Sequence, residues 1–337
     1  MKEPKEKPNY TSIGGQALIE GIMMRGPKRT AMAVRDPDGK IVLEIFPTAQ
    51  HEDRLHKTPF VRGIFNFVDS MKVGYKCLMR SAEISMPEEA EKEKNEKEKR
   101  KDNFLMSAAM TLGAVLGVAL SIALFIWLPA QLFALIAKAA PSLDHRAIRS
   151  VFEGLFRIIL FVGYVSAMCL MKDMRRTFRY HGAEHKTIFC YEAKLPLTVE
   201  NIRPMRRFHP RCGTSFMILM LLVGIIISMF ITVTNPVLRT VIKLALLPLT
   251  VGIGYELIKF CGRHDNLLTK IISAPGMWLQ HITVHEPDDS MIECAIKAME
   301  AVIPTPEEEA EEAAKKEAEK AEKEAKKAAR KAKKSAK

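Results

Sequence analysis

Residues 104–137 read FLMSAAMTLGAVLGVALSIALFIWLPAQLFALIA, 34 consecutive positions without an Asp, Glu, Lys or Arg. A helix crosses the hydrocarbon core of a bilayer with about 20 apolar residues at about 1.5 Å each, so this stretch exceeds one span. Pro129 predicts a break, with a helix from Phe104 to about Leu128 followed by an interfacial piece to Ala137. Three further apolar stretches follow. Residues 150–171 carry Glu153 and Arg157 four apart, a spacing that lets them pair on one helix face. Residues 214–234 are the cleanest, and residues 239–260 are interrupted by Pro248, Gly252 and Gly254. Any one of these fits the core of a soluble protein; four at such lengths predict a membrane protein. The expected fold class is an α-helical membrane protein with four transmembrane helices in two hairpins, 104–171 and 214–260.

Whole-chain averages conceal this. The 337 residues are 48% hydrophobic and 27% charged, with a mean hydropathy of −0.01. These values exclude a collagen-like chain, a disulfide scaffold and a wholly disordered protein. They sum two populations, the apolar stretches and a tail over 307–337 built almost entirely from Glu, Lys and Ala. Six cysteines (77, 169, 190, 212, 261 and 294) form no CxxC pair, which fits a reducing compartment. The first twelve residues are polar with two prolines, so no signal peptide is expected.

The formal net charge is +12, and the tail, with 11 basic and 9 acidic residues, supplies only +2 of it. Ten Lys or Arg lie in the single loop 172–213. The other inter-span loops are short, with few basic residues, among them Lys138 and Arg146. The positive-inside rule therefore places the basic loop in the cytoplasm. Four spans then put both termini there, and two helical hairpins hang from one cytoplasmic face of the cell membrane.

That face carries an expected α+β cap. Residues 1–85 contain AMAVRDPDGKIVLEIF (31–46), which reads as a β-hairpin around a DPDG turn. GGQALIEGIMMRGP (14–27), rich in glycine and methionine, precedes it. Phe60, Ile64, Phe67, Val68, Met71, Tyr75 and Leu78 recur at helical spacing and predict an amphipathic helix over 59–85 that lies on the membrane or packs on the rest. Residues 86–103 read as a charged linker, and 261–303 as a C-terminal cytoplasmic region with Trp278 suited to a membrane interface and an amphipathic helix over 287–303. The low-complexity tail, 304–337, ends in a purely basic stretch. The tail and the basic loop can contact anionic lipid or the ribosome, or the tail can serve only to solubilise.

Within the basic loop, residues 180–186 read YHGAEHK. On a helix His181 and His185 share a face and can hold one metal ion. His-x-x-Glu-His is the inverted zincin pattern, in which the glutamate, here Glu184, acts as general base on metal-bound water. A surface or hydrogen-bonded histidine pair is the plainer alternative. Topology adds His209 and Cys212, in FHPRCGTSF directly before the third span, and Glu256 near the cytoplasmic end of the fourth. His181, His185 and Glu256, with Glu184 as base, would make a His2Glu catalytic set for a divalent metal of the zinc type. Glu256 can instead pair with Lys259 or an arginine of the basic loop, since acids within a membrane find partners. His281 and His285 are also four apart but flank residues where strand and helix fit equally, and solvent or structural roles are expected for them.

The segments GGQALIEGIMMRGP, RGIFNFVDSM, YHGAEHKTI, PLTVENIRPMRRFHPRCGTSF, LLPLTVGIGYELIKFCGR and MWLQHITVHEPDD together resemble the bacterial YqhQ-like family of multipass membrane proteins, described as predicted metal-dependent enzymes. The resemblance covers most of 12–303. It implies a bacterial membrane location and matches His181, Glu184, His185, His209, Cys212 and Glu256 to motif positions, while His281 and His285 depart from the commoner residues. It supplies no substrate. Two functions are expected to compete: a metal-dependent hydrolase at the cytoplasmic membrane face, acting on a lipid, an isoprenoid or a membrane-associated peptide, and a non-enzymatic scaffold or assembly/insertion factor in which the histidine cluster is structural. A transporter would need oligomerisation, and the two hairpins show no repeat symmetry.

Overall fold

The computed structural model describes residues 11–49, 56, 58–87, 104–264 and 266–308; the expected charged linker from 88 to 103 and the Glu/Lys/Ala tail from 309 onward lie outside these. Short apolar stretches near the start of the chain, punctuated by tight turns, form an antiparallel sheet in the order β1 (Gly14–Leu18), β2 (Gly21–Arg25), β3 (Arg29–Arg35) and β4 (Ile41–Pro47). The expected hairpin over 31–46 is the β3–β4 half, with Val34 opposite Val42 and Gly39 at φ 83° closing the DPDG turn. The glycine- and methionine-rich segment supplies β1 and β2. Two residues connect them, and Glu20 takes φ 51° there, a left-handed backbone that disfavours a side chain. The turn is fixed from outside: Arg176 donates to both carboxylate oxygens of Glu20, and the Tyr180 hydroxyl donates to one of them at 3.2 Å.

β2 and β3 are buried on both faces. Leu18, Met23, Met32 and Val34 pack with Cys77 of α1 (Val61–Ser85), the expected amphipathic helix. Its Val68, Met71, Tyr75 and Met79 remain exposed. The opposite face, Ile22, Met24, Ala31 and Ala33, meets two later helices described below.

α2 (Phe104–Ile122), a π-helical turn (Ala123–Trp127) and α3 (Leu128–Ala139) run on without interruption, so the break expected at Pro129 does not occur. Proline removes the donor for the carbonyl four residues earlier and crowds it. Here that carbonyl, Phe125 O, accepts from Arg157 Nε at 2.7 Å, and the wider π turn takes up the ring. Arg157 lies on α4 (Arg146–Met168). The expected Glu153–Arg157 pair is accordingly not formed, because Glu153 binds Arg239 and Lys243 instead.

The basic loop is largely helical: α5 (Lys172–Glu192) fills its first half, and α6 (Val199–Ile202) follows. Then come α7 (Gly213–Met229), α8 (Pro236–Ala245) and α9 (Leu247–Cys261). α8 and α9 meet at a 49° bend just before Pro248. α10 (Leu267–Thr283) and α11 (Asp289–Glu300) complete the described chain. Tyr180, Ala183, Ile188 and Cys190 of α5 and Met291, Ile292, Ala295 and Met299 of α11 close over the second face of the sheet, each large apolar side chain contributing about 1.5–3 kcal/mol on burial.

By length and composition, Val115–Ala139 and Arg146–Met168 can cross a membrane, and the bent α8–α9 pair makes a third crossing if it acts as one. α7 is apolar but has 17 residues. The architecture is thus mostly helical, with two or three membrane-crossing candidates among the described residues and a small N-terminal sheet.

Candidate metal centre

α5 is positioned by its buried face, which leaves His181 and His185 on an adjoining edge, one turn apart. His181 Nδ1 lies 2.9 Å from the Thr283 carbonyl, and His185 Nδ1 is bonded to the Arg207 carbonyl. A carbonyl only accepts, so both Nδ1 atoms are donors and each Nε2 carries the free lone pair. His181 Nε2 stands 3.1 Å from Cys212 Sγ. The two rings are 4.4 Å apart, edge to face at 66°. One ligand atom from each of His181, His185 and Cys212 lies within 4.8 Å of the others, a group able to hold a metal ion. His185 is 1% exposed and Cys212 6%, while His181 is partly buried. Backbone carbonyls on Nδ1 fix the tautomer and aim of metal-binding imidazoles, so the site has its supporting shell as well as its donors.

Cys212 sits at the N-cap of α7, and a buried glutamine holds the loop that carries it. Gln280 Oε1 accepts from His209 N at 2.8 Å, and Gln280 Nε2 donates to His209 O at 2.8 Å and to Ser215 Oγ at 3.0 Å. α10 therefore supplies both this clasp and, at its last residue, the Thr283 carbonyl behind His181. Thr283, Arg207 and Gln280 were not among the expected residues. The first two act through carbonyls, which any residue offers, so no side-chain signal marks them.

His209 is brought beside the group but not into it. Its ring is 5.6 Å from that of His185, its Nδ1 accepts from Arg211 N at 3.2 Å, and its Nε2 is 3.9 Å from Glu192. Burial, reinforced by His185 and Arg211 and opposed by Glu192, lowers the His209 imidazole to about 4, so it is neutral at physiological pH. Glu256 is not brought in. Arg62 of α1 donates to both of its oxygens, at 2.6 Å from Nε, and Phe60 N approaches at 3.3 Å. The acid does find a partner, but one 194 residues away rather than Lys259 or the basic loop. His281 is exposed at the end of α10, and His285 lies beyond the helix with a buried Nε2 that has no hydrogen-bond partner.

Glu184 is 5% exposed and points toward β1, where the Gly15 backbone N–H bonds to it. Burial pushes its carboxyl above the ordinary range, and the His181 ring and the Gly15 N–H only partly oppose this. Glu192 shows the reverse. Burial alone would raise it, yet His209, Arg211 and the Thr11 N–H together hold it below the ordinary value of 4.5. A depressed carboxyl contributes stability that is present above the unfolded value and lost as pH falls through the folded one. Glu192→Gln is expected to melt below wild type at pH 7, with the gap closing as both are acidified past 4.5. A gap that stays constant as the pH falls well below 4.5 in thermal denaturation would refute the assignment.

No solved structure matches the chain. A family model described as protein of unknown function, DUF1385, matches residues 58–305. The chain is 34% identical over 309 residues to a Bacillus subtilis (strain 168) protein named Uncharacterized protein YqhQ, covering 90% of this chain and 95% of that one. α1 through α11, including all three potential metal ligands, fall inside the matched region, and on these grounds the chain belongs to the DUF1385 family, the YqhQ-like proteins.

Proposed function

We propose that this chain is a four-span membrane protein with both termini in the cytoplasm, and that it is a metal-dependent hydrolase of the zinc type working at the cytoplasmic membrane face. One observation carries the reading: His181, His185 and Cys212 converge, with both Nδ1 atoms already committed to backbone carbonyls. Two imidazoles and a thiolate suit zinc, and three protein ligands leave a fourth position for water, as in catalytic zinc sites. When bound, the ion supplies Lewis acidity and an activated water. Glu184 is the candidate base, its carboxyl shifted upward in the direction that base catalysis near neutrality needs. A lipid, an isoprenoid or a membrane-associated peptide is the proposed substrate class. The basic loop and tail are proposed contacts for anionic lipid or the ribosome.

The near-complete burial of His185 and Cys212 favours a second reading, a closed structural metal in a membrane scaffold. Metal analysis of full-length protein purified in detergent without chelator separates the cases. About one divalent ion per chain is expected, lost in His181→Ala, His185→Ala and Cys212→Ser and kept in Glu184→Gln. Wild type without metal would overturn the proposal. A Glu184→Gln protein that keeps its ion and melts like wild type, yet cannot replace it in the cell, supports the hydrolase. Full replacement supports the scaffold.

A further inference from the structure

At the other end of α4 and α7 from the metal centre, four ionisable side chains gather inside the proposed membrane core. Arg239, 1% exposed, donates to both oxygens of Glu153, to the Ile231, Val233 and Ser228 carbonyls, and to the Ser150 and Ser228 hydroxyls. Lys243 binds the same carboxylate. Arg157 lies within electrostatic range of Glu153, Arg239 and Lys243. The nearby Arg149 is balanced separately, by Asp144 at 2.6 Å. Three cations therefore surround one carboxylate, an excess of two positive charges at a depth that the four-span reading places inside the bilayer.

The excess is not spread evenly. Arg239 has its donors used, and its role is to satisfy the carbonyls where α7 ends. Lys243 has Glu153. Arg157 spends Nε on Phe125 O, while its Nη2 is buried with no hydrogen-bond partner. Arg157 follows the first residue of α4 by 11 positions, so it lies about 17 Å along a helix that spans a hydrocarbon core of about 30 Å. An ionisable group at such depth is costly, and function is the usual reason for keeping one. The adjoining π turn points the same way, since such turns gather at functional sites.

We infer that this cluster binds an oxyanion, a phosphate or carboxylate group, received by Arg157 Nη2 beside Lys243. A monoanion halves the uncompensated charge and supplies the acceptor that Arg157 lacks. A guanidinium suits this class because it presents paired donors to two oxygens of one anion. The inference rests on the four-span reading and is independent of the metal.

The full chain carrying Trp278→Phe leaves Trp127, two residues from Phe125, as the only tryptophan. In nanodiscs of phosphatidylcholine, its fluorescence and melting are followed while phosphatidylglycerol replaces part of the lipid, or while inorganic phosphate is added to the buffer. A saturable response to either is expected, with half-saturation raised about tenfold in Arg157→Met and only partly restored in Arg157→Lys, which keeps the charge but not the paired donors. A response to phosphatidylglycerol alone identifies a membrane-borne anion, and a response to phosphate identifies a soluble one. No response in the parent protein, or an unchanged response in Arg157→Met, overturns the inference. The latter would mean that anionic lipid acts only on the general positive charge.

Discussion

Glu153→Gln is expected to destabilise the helical bundle by about 3–5 kcal/mol, the cost of removing one partner from a buried ionic cluster. The amide keeps the shape of the acid and can still accept from Arg239, so packing is preserved and the loss is electrostatic. What disappears is the one carboxylate that Arg239 and Lys243 share, at 1% exposure. Three cations are then left facing one another without compensation. Removing one of them as well should recover part of the loss, so Glu153→Gln with Lys243→Met is expected to be more stable than Glu153→Gln alone. Thermal unfolding in phosphatidylcholine nanodiscs reads both. A Glu153→Gln protein within about 0.5 kcal/mol of wild type, the size of an ordinary surface substitution, would show that the cluster is wetter and weaker than its burial indicates. A double variant no better than the single one would show that packing around Lys243, not its charge, matters.

The same residues show where the sequence was readable and where it was not. The apolar stretches were plain, because lipid leaves no substitute for a long run without charge. The Pro129 break was expected on a sound local rule, and the rule was defeated by Arg157, 32 residues beyond Phe125, which supplies the donor that the Phe125 carbonyl lacks. Glu153 and Arg157 had the right spacing to pair, but spacing along one helix says nothing about stronger partners on another. The β3–β4 hairpin was legible from its DPDG turn. β1 and β2 were not, since β2 is buried on both faces and lacks alternation, and its turn places Glu20 rather than glycine or asparagine at positive φ. In the candidate centre, His181 and His185 followed from helical periodicity and Cys212 from its place directly before the apolar stretch 214–234. Glu256 had equal topological support, yet its carboxylate went to Arg62, a contact that needs the packing of α1 on α9 to be known.

Gly182→Ala is expected to damage the candidate metal centre as much as loss of a ligand's support, although residue 182 is not one of its three potential ligands. A Cβ added there would stand 1.9 Å from the His285 carbonyl oxygen and 3.3 Å from Pro287 Cδ. The obstacle is backbone, so no side-chain rotation relieves it, and either α5 or the segment after α10 must move. That segment is tied to α5 by the His285 N–H to Phe178 O bond at 3.0 Å. Thr283, two residues earlier, holds His181 Nδ1. Displacing the segment therefore costs stability, about 1–3 kcal/mol or more for overpacking, and frees the His181 ring to turn. Loss of such a supporting bond typically lowers metal affinity about 10–100-fold. Two measurements are needed, a melting curve of the metal-free protein and a metal titration of the folded fraction. A lower melting temperature with unchanged affinity would mean that the segment after α10 yields without moving Thr283, and that the carbonyl contact is incidental to the site. Weakened affinity in both Gly182→Ala and Gln280→Ala, which loosens the His209 loop from the other side of α10, would establish that this helix organises the centre by gripping both of its edges.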